Sequence, residues 1–210
     1  MHRIASATIA CLAFLAFAAT AEAKTYYLDS FDRGKDPYAG PLRTQKLVRK
    51  APYLLEIKGT FSFFDRSQFR DPFCGTPESQ PIFPTKGKRN GPVVGDAEFL
   101  FADTAPNCSR RASPITATSL QMRTSSKYTN PVPIGGVGMI PLPDHAYRYG
   151  VVGAGRKVRF RLPDAFTRDN YGRLRIRFTK AQALDCANGA FANWAYVDEA
   201  TCVAATLRRR

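Results

Sequence analysis

The chain has 210 residues, with 31 Lys and Arg against 17 Asp and Glu, a formal net charge of +14 at neutral pH. A hydrophobic content of 44% and an aromatic content of 12% exclude wholesale disorder. No stretch beyond the first 23 residues approaches the roughly 20 apolar residues a membrane-spanning helix requires. The 15 Gly and 15 Pro are scattered and argue for short strands and turns rather than long helices.

Met1–Ala23 has a basic start at Arg3, an apolar run from Ile9 to Ala19 and the small-x-small ending Ala21-Glu22-Ala23. This is the pattern of a secretory signal peptide, so a secreted or periplasmic location is expected. Its removal leaves Lys24–Arg210, 187 residues expected to form a single domain, and the charge of +14 is unchanged because the segment carries one Arg and one Glu. Cys74, Cys108, Cys186 and Cys202 remain. An even number in an oxidising compartment predicts two disulfides with three possible connectivities. Cys74–Cys108 and Cys186–Cys202 is the favoured pairing, since each bond would bracket an irregular stretch. Zinc is the weaker alternative, because there is no C-x-x-C and His145 is the one histidine left after Ala23.

Alternation of period two dominates the rest. Tyr53, Leu55, Ile57, Phe61 and Phe63 fall on one face, and Glu56, Lys58, Thr60 and Ser62 on the other, with Leu54 the exception. Gly59 sits in the inward series and marks a bulge or a close backbone approach. Further on, Val158, Phe160 and Leu162 alternate with Lys157, Arg159 and Arg161, and Leu174, Ile176 and Phe178 alternate with Arg173, Arg175 and Arg177. Joined by Pro163–Gly172, these two runs predict an antiparallel pair. Shorter strands are expected at Thr25–Leu28, Gln45–Arg49, Glu98–Ala102 and Tyr147–Val152. Residues 65–143 otherwise read as loop. An irregular extension from about residue 181 is expected to hold a helix at Ala181–Ala187 and a strand at Trp194–Val197. The whole predicts an all-β sandwich with long, disulfide-stapled connections.

Between the two alternating runs, Asp164-Ala-Phe-Thr167-Arg-Asp169-Asn170-Tyr-Gly172 offers two carboxylates, an amide and several loop carbonyls. Calcium takes six to eight such oxygens. Ordinary Asx turn chemistry accounts for the same residues equally well. The segment resembles the calcium loop of the bacterial galactophilic lectins, calcium-dependent proteins with a galactose-binding-like jelly-roll β-sandwich. On that resemblance Asp164 falls on the first aspartate ligand and Thr167 on a threonine that ligates through its carbonyl. Asp169 stands in place of an asparagine ligand, and Asn170 matches an asparagine of the same loop. The run Gly59-Thr-Phe-Ser62-Phe63 would place the Phe63 carbonyl as the remaining ligand. The likeness covers Tyr53–Phe63 and Tyr147–Phe178. The loop is two residues shorter than the family's, and no histidine matches its sugar contact, so the fold and a calcium site carry over further than galactose specificity.

Lys157, Arg159, Arg161, Arg173, Arg175 and Arg177 form the second signal, a candidate anion-binding set on the outer side of the expected strand pair. Like charges opposite each other across strands are destabilising. Either acidic neighbours interleave with them or the face is kept for anions. A charge of +14 in an exported chain points to acidic polysaccharide, lipopolysaccharide or teichoic-type polymers, and no nucleic-acid module is present.

Catalytic patterns are sparse. Asp144-His145 is an isolated neighbour pair, and no nucleophile motif accompanies it. Asp96 and Glu98 would sit on one strand face, about 7 Å apart, where a glycan-cleaving pair is conceivable. Gly150–Arg156 looks like a phosphate loop but lacks the Lys-Ser/Thr ending and is followed by a strand. The expectation is a non-enzymatic binding module for carbohydrate, with calcium as its cofactor. The alternatives are a basic envelope protein holding anionic polymers and, behind it, a glycan-cleaving enzyme. The sequence does not fix an oligomeric state.

Overall fold

The computed structural model describes residues 23–31, 38–62, 93–103, 110–114, 120–138, 140–164, 167–189, 191 and 198–207. In chain order the strands are β1 (Thr25–Asp29), β2 (Tyr38–Lys46), β3 (Pro52–Lys58), β4 (Phe61–Ser62), β5 (Val93–Gly95), β6 (Phe99–Asp103), β7 (Arg110–Pro114), β8 (Gln121–Arg123), β9 (Ala146–Val152), β10 (Lys157–Pro163) and β11 (Tyr171–Lys180). Two short helices follow, α1 (Ala183–Ala187) and α2 (Glu199–Thr206). The chain is thus mostly β, as its alternation predicts, and the strand pairings among the described residues are antiparallel.

β11 organises the larger sheet. β1 lies along one edge of it, with Leu28 opposite Leu174, and β3 then β4 lie along the other. β9 extends the sheet beyond β3, while β5, β6 and β7 extend it beyond β4, giving eight strands among the described residues. Gly59 makes the step from β3 to β4 possible. Its φ is +116°, and a Cβ there would stand 2.8 Å from the Arg173 carbonyl oxygen. The close approach expected at this glycine is therefore real, and an L side chain would be strained there in any case.

The smaller sheet has three strands in the order β2-β10-β8. Here the structure corrects the expected pairing of residues 157–162 with 173–178. β10 pairs with β2 and β8, whereas β11 pairs with β1, β3 and β4. The two alternating runs belong to different sheets and meet through their apolar faces instead. The rings of Phe160 and Phe178 are 6.1 Å apart, a tilted contact across the core. Val158, Phe160 and Leu162 share one buried cluster with Leu55, Ile57, Tyr147, Tyr149, Leu174, Ile176 and Phe178. Pairing β10 with β11 edge to edge would also have set six cations against one another. The observed arrangement gives Arg175 a carboxylate partner on β3 instead, Glu56 at 2.8 Å.

The stretch read as loop between 65 and 143 contributes β5, β6, β7 and β8, of which the sequence reading anticipated β6 alone. The others are three to five residues long, too short for alternation to show. Leu54, the exception in the β3 pattern, packs against a second apolar cluster of Ala181, Cys186, Phe191 and Cys202. The Cys186–Cys202 disulfide ties α1 to α2 across 16 residues. α1 begins two residues later than expected because Gln182 is its N-cap, the Gln182 N–H donating to Asp185 Oδ2 at 2.7 Å. α2 is unexpected, and Asp198 caps it through Thr201 N–H at 2.6 Å. Cys74, Cys108, Phe63 and the strand expected at Trp194–Val197 lie outside the described residues.

Candidate functional site

The smaller sheet turns one face into the core and the other to solvent. Along β10 the inward Val158, Phe160 and Leu162 are buried, while Lys157 is exposed and Arg159 and Arg161 are half-buried. Its neighbours add to the charge rather than neutralising it. Lys157 is in register with Lys46, and Arg159 with both Arg43 and Arg123. The strands β2, β8 and β10 contain six Lys and Arg and no Asp or Glu. Arg161 sits opposite Gln121 and donates through Nε to its Oε1 at 2.8 Å. Tyr128, just beyond β8, lies under two guanidinium groups, Arg161 at 3.9 Å and Arg123 at 5.0 Å from the ring centroid.

The other half of the expected cationic set is elsewhere. Arg173, Arg175 and Arg177 are on β11 in the larger sheet, where acid and aromatic partners meet them. Arg175 pairs with Glu56, Arg177 stands in register with the same glutamate, and the Arg173 guanidinium lies 4.5 Å from the Tyr27 ring centroid. The structure keeps Lys157, Arg159 and Arg161 together, removes the β11 arginines from them, and supplies Arg43, Lys46 and Arg123 in their place. Sequence reasoning missed these three because strand partners more than thirty residues away do not show in local alternation.

The candidate calcium loop crosses between the two sheets. Thr167–Asp169 forms a single 3-10 turn, with Thr167 fully buried. Asn170 is 4% exposed, and its Nδ2 donates to the Ser30 carbonyl at 3.0 Å. Ser30 answers by donating from Oγ and N to the Gly172 carbonyl, at 2.9 and 3.1 Å. This lattice ties the end of β1 to the start of β11. It leaves Asn170 Oδ1 buried with no protein donor. Such an oxygen needs a cation or a water. Asp164 is half-buried at the entry to the loop. The Phe63 carbonyl and the Asp169 side chain lie outside what is described, and among the described residues no three His, Cys, Asp or Glu groups converge.

Asp96 and Glu98 are not neighbours on a strand face, as expected, but occupy the turn between β5 and β6. Asp96 is completely buried. Its Oδ1 accepts the N–H groups of Glu98 and Phe99 at 2.9 and 2.7 Å. Its Oδ2 accepts the Tyr147 hydroxyl at 2.7 Å and lies 2.9 Å from His145 Nδ1. Four internal contacts make this carboxylate a cross-link between the β5–β6 turn and the start of β9. His145 therefore finds Asp96 rather than its sequence neighbour Asp144, which is exposed and 3.9 Å from Lys58 Nζ. The His145 backbone is left-handed, with φ of 48°, a conformation that surrounding contacts must hold in a non-glycine residue.

Glu98 is 3% exposed, and its Oε1 accepts the Gly138 N–H at 2.7 Å. Burial pushes its carboxyl above the usual range; the Gly138 hydrogen bond opposes that, and the nearby Asp96 reinforces it. Burial also raises the hydroxyls of Tyr147 and Tyr149 well above normal, with the same two carboxylates contributing. Glu98 lines a cavity of about 190 Å³ together with Ile134, Leu142, Tyr147 and Arg148. Asp96 does not reach it.

No family model matches the chain, and neither the curated proteins nor the solved structures contain a match.

Proposed function

We propose that the chain is an exported carbohydrate-binding module, a β-sandwich whose small sheet holds acidic polysaccharide on its outer face. One observation carries the reading: cations face cations in register across β2, β10 and β8, with no acid on any of the three strands. Cross-strand like charges cost folding free energy. On β11 Arg175 also faces a cation, Lys58, but there Glu56 lies 2.8 Å from its guanidinium. Among the described residues no carboxylate pairs with the facing cations Lys46, Lys157, Arg43, Arg159 and Arg123, and a polyanion would compensate them. With strands about 4.8 Å apart, Arg43, Arg159 and Arg123 form one row across the sheet and Lys46 and Lys157 the next, an arrangement suited to a polymer with repeating anionic groups. The shared core of the two sheets supports the sandwich reading.

Calcium is a second reading, favoured by the undonated, buried Asn170 Oδ1. On that reading Asp164, Asp169, Asn170 and the carbonyls of Thr167 and Phe63 would hold the ion. The ion would supply a hard positive centre for oxygen ligands, as in the galactophilic lectins that the loop resembles. Affinity chromatography distinguishes the readings. Retention on a sulfated polysaccharide but not on its desulfated parent, reversed by salt and indifferent to chelator, supports the basic face. Retention on neutral galactosides, lost in chelator, would replace it with the lectin reading.

A further inference from the structure

At the end of the small sheet, where β2 runs out and β10 begins, lies an open pocket of about 1150 Å³. Lys24, Lys46, Arg49, Lys50 and Arg156 line it, and among the described residues no Asp or Glu does. Ser125 and Ser126 add two neutral donors at the wall. Lys46 belongs both to this pocket and to the charged face, so the two are continuous.

The pocket is built on a fixed floor. The turn Val48–Ala51 closes with Ala51 N–H donating to Val48 O at 3.2 Å. It is zipped to the turn that follows β9 by Lys50 N–H to Gly153 O at 2.6 Å, Gly153 N–H to Ala51 O at 2.8 Å, and Leu47 N–H to Arg156 O at 3.1 Å. The Tyr53 hydroxyl accepts the Val48 N–H from beneath, at 3.1 Å. Packing between the turns is so close that a Cβ on Gly153 would collide with the Val48 carbonyl. Lys50 is held with φ of 61°, left-handed backbone that glycine would adopt at less cost. This left-handed lysine lines the pocket beside four other cations.

We infer that this pocket binds clustered phosphate groups carried on a sugar, which names the substituent on the acidic carbohydrate and rests on the polyanion reading for its source. A carboxylate has two oxygens and a single charge. Five cations and two hydroxyls lining one concavity offer more donors and charge than it can accept. A phosphate monoester presents three terminal oxygens and close to two charges, and a pair of them matches the five cations. The phosphates can come from a soluble sugar phosphate or from a membrane headgroup.

The test is isothermal titration calorimetry of the whole protein with fructose 1,6-bisphosphate, with glucuronate as the carboxylate control and with vesicles containing lipid A, a disaccharide bearing two phosphates, as competitor. The expected result is binding of the bisphosphate at least tenfold tighter than of glucuronate. It should fall at least tenfold in Arg49→Ala/Arg156→Ala and in Lys50→Gly, and change less than threefold in Arg177→Gln, which removes the same charge from the large sheet. Lys50→Gly should melt no lower than the native protein, so its loss of binding is not loss of fold. Competition by the vesicles would assign the membrane source, and its absence the soluble one. Bisphosphate binding that survives in Lys50→Gly and in Arg49→Ala/Arg156→Ala overturns the inference, as does no bisphosphate binding at all. If sulfated polymer is still retained in that last case, the pocket assignment alone fails. If it is not, the polyanion reading fails with it.

Discussion

Replacing Arg159 by Gln should make the protein more stable, because its charge stands opposite Arg43 on one side and Arg123 on the other. Two unit charges about 5 Å apart repel by ~0.8 kcal/mol in water. Long side chains splay away from each other, and measured cross-strand pairs fall between about 0.2 and 1 kcal/mol. Relief of two such pairs is therefore worth about 0.5–1 kcal/mol, while the Gln stem preserves most of the packing of a half-buried arginine. For a chain of this size each kcal/mol moves the melting temperature by roughly 2–4 °C, so a rise of about 1–4 °C is expected in dilute buffer. In 1 M salt the screening length is about 3 Å, and the rise should vanish. Arg175→Gln is the contrasting variant. It loses the partly exposed pair with Glu56, and a fall of up to about 1 kcal/mol is expected. Calorimetric melting of both variants at low and high salt decides the matter. If Arg159→Gln melts lower than the native protein at both salt concentrations, the small sheet is not electrostatically strained and the reasoning from its charge pattern is wrong.

Three further outcomes follow from the buried groups, the disulfide and the loop. The folded Glu98 carboxyl sits above its free value of 4.5, so the folded state holds its proton more tightly and stability should fall as pH rises from 4.5 through the folded value. Glu98→Gln keeps an acceptor for Gly138 N–H and should flatten that part of the melting profile; an unchanged profile would mean Glu98 is not the group responsible. Replacing Cys186 and Cys202 by Ser opens a 16-residue loop and should cost about 3 kcal/mol, read as a lower urea midpoint; no change would mean α1 and α2 are held by packing alone. Calcium at one hundred times its dissociation constant should stabilise the protein by about 2.7 kcal/mol, a gain lost in Asp164→Asn/Asp169→Asn. Equal melting in calcium and chelator would leave Asp169–Gly172 an Asx turn.

The alternation in Tyr53–Ile57, Lys157–Leu162 and Arg173–Phe178 was legible because period two reports which face is buried. It does not report the partner strand. Reading the two cationic runs as a hairpin joined neighbours in sequence, whereas the core joins them face to face through Phe160 and Phe178. A clue lay in the charges: a strand bearing Arg173, Arg175 and Arg177 is better placed beside Glu56 than beside Lys157, Arg159 and Arg161. Gly59 was readable for a local reason, since a glycine interrupting an apolar face implies a close approach. The Asp96, His145 and Tyr147 cluster was not, because its hydrogen bonds span about fifty residues and each member looked ordinary beside its immediate neighbours. The pocket cations were hidden differently. Lys46, Arg49 and Lys50 form a short basic run, but only the fold brings Lys24 and Arg156 to it, and nothing in the sequence marks the left-handed backbone of Lys50.

The most direct test of the basic face is charge reversal on the small sheet. Arg43→Glu/Arg159→Glu and, as the matched control, Arg173→Glu/Arg177→Glu on the large sheet change the net charge equally, from +14 to +10. Retention on a sulfated polysaccharide column is measured for both, with circular dichroism confirming the fold. The small-sheet variant should elute without added salt, while the large-sheet variant should stay bound to near the native elution salt. Equal losses in the two would show that net charge alone drives retention, and the small sheet would have no claim to be the binding site.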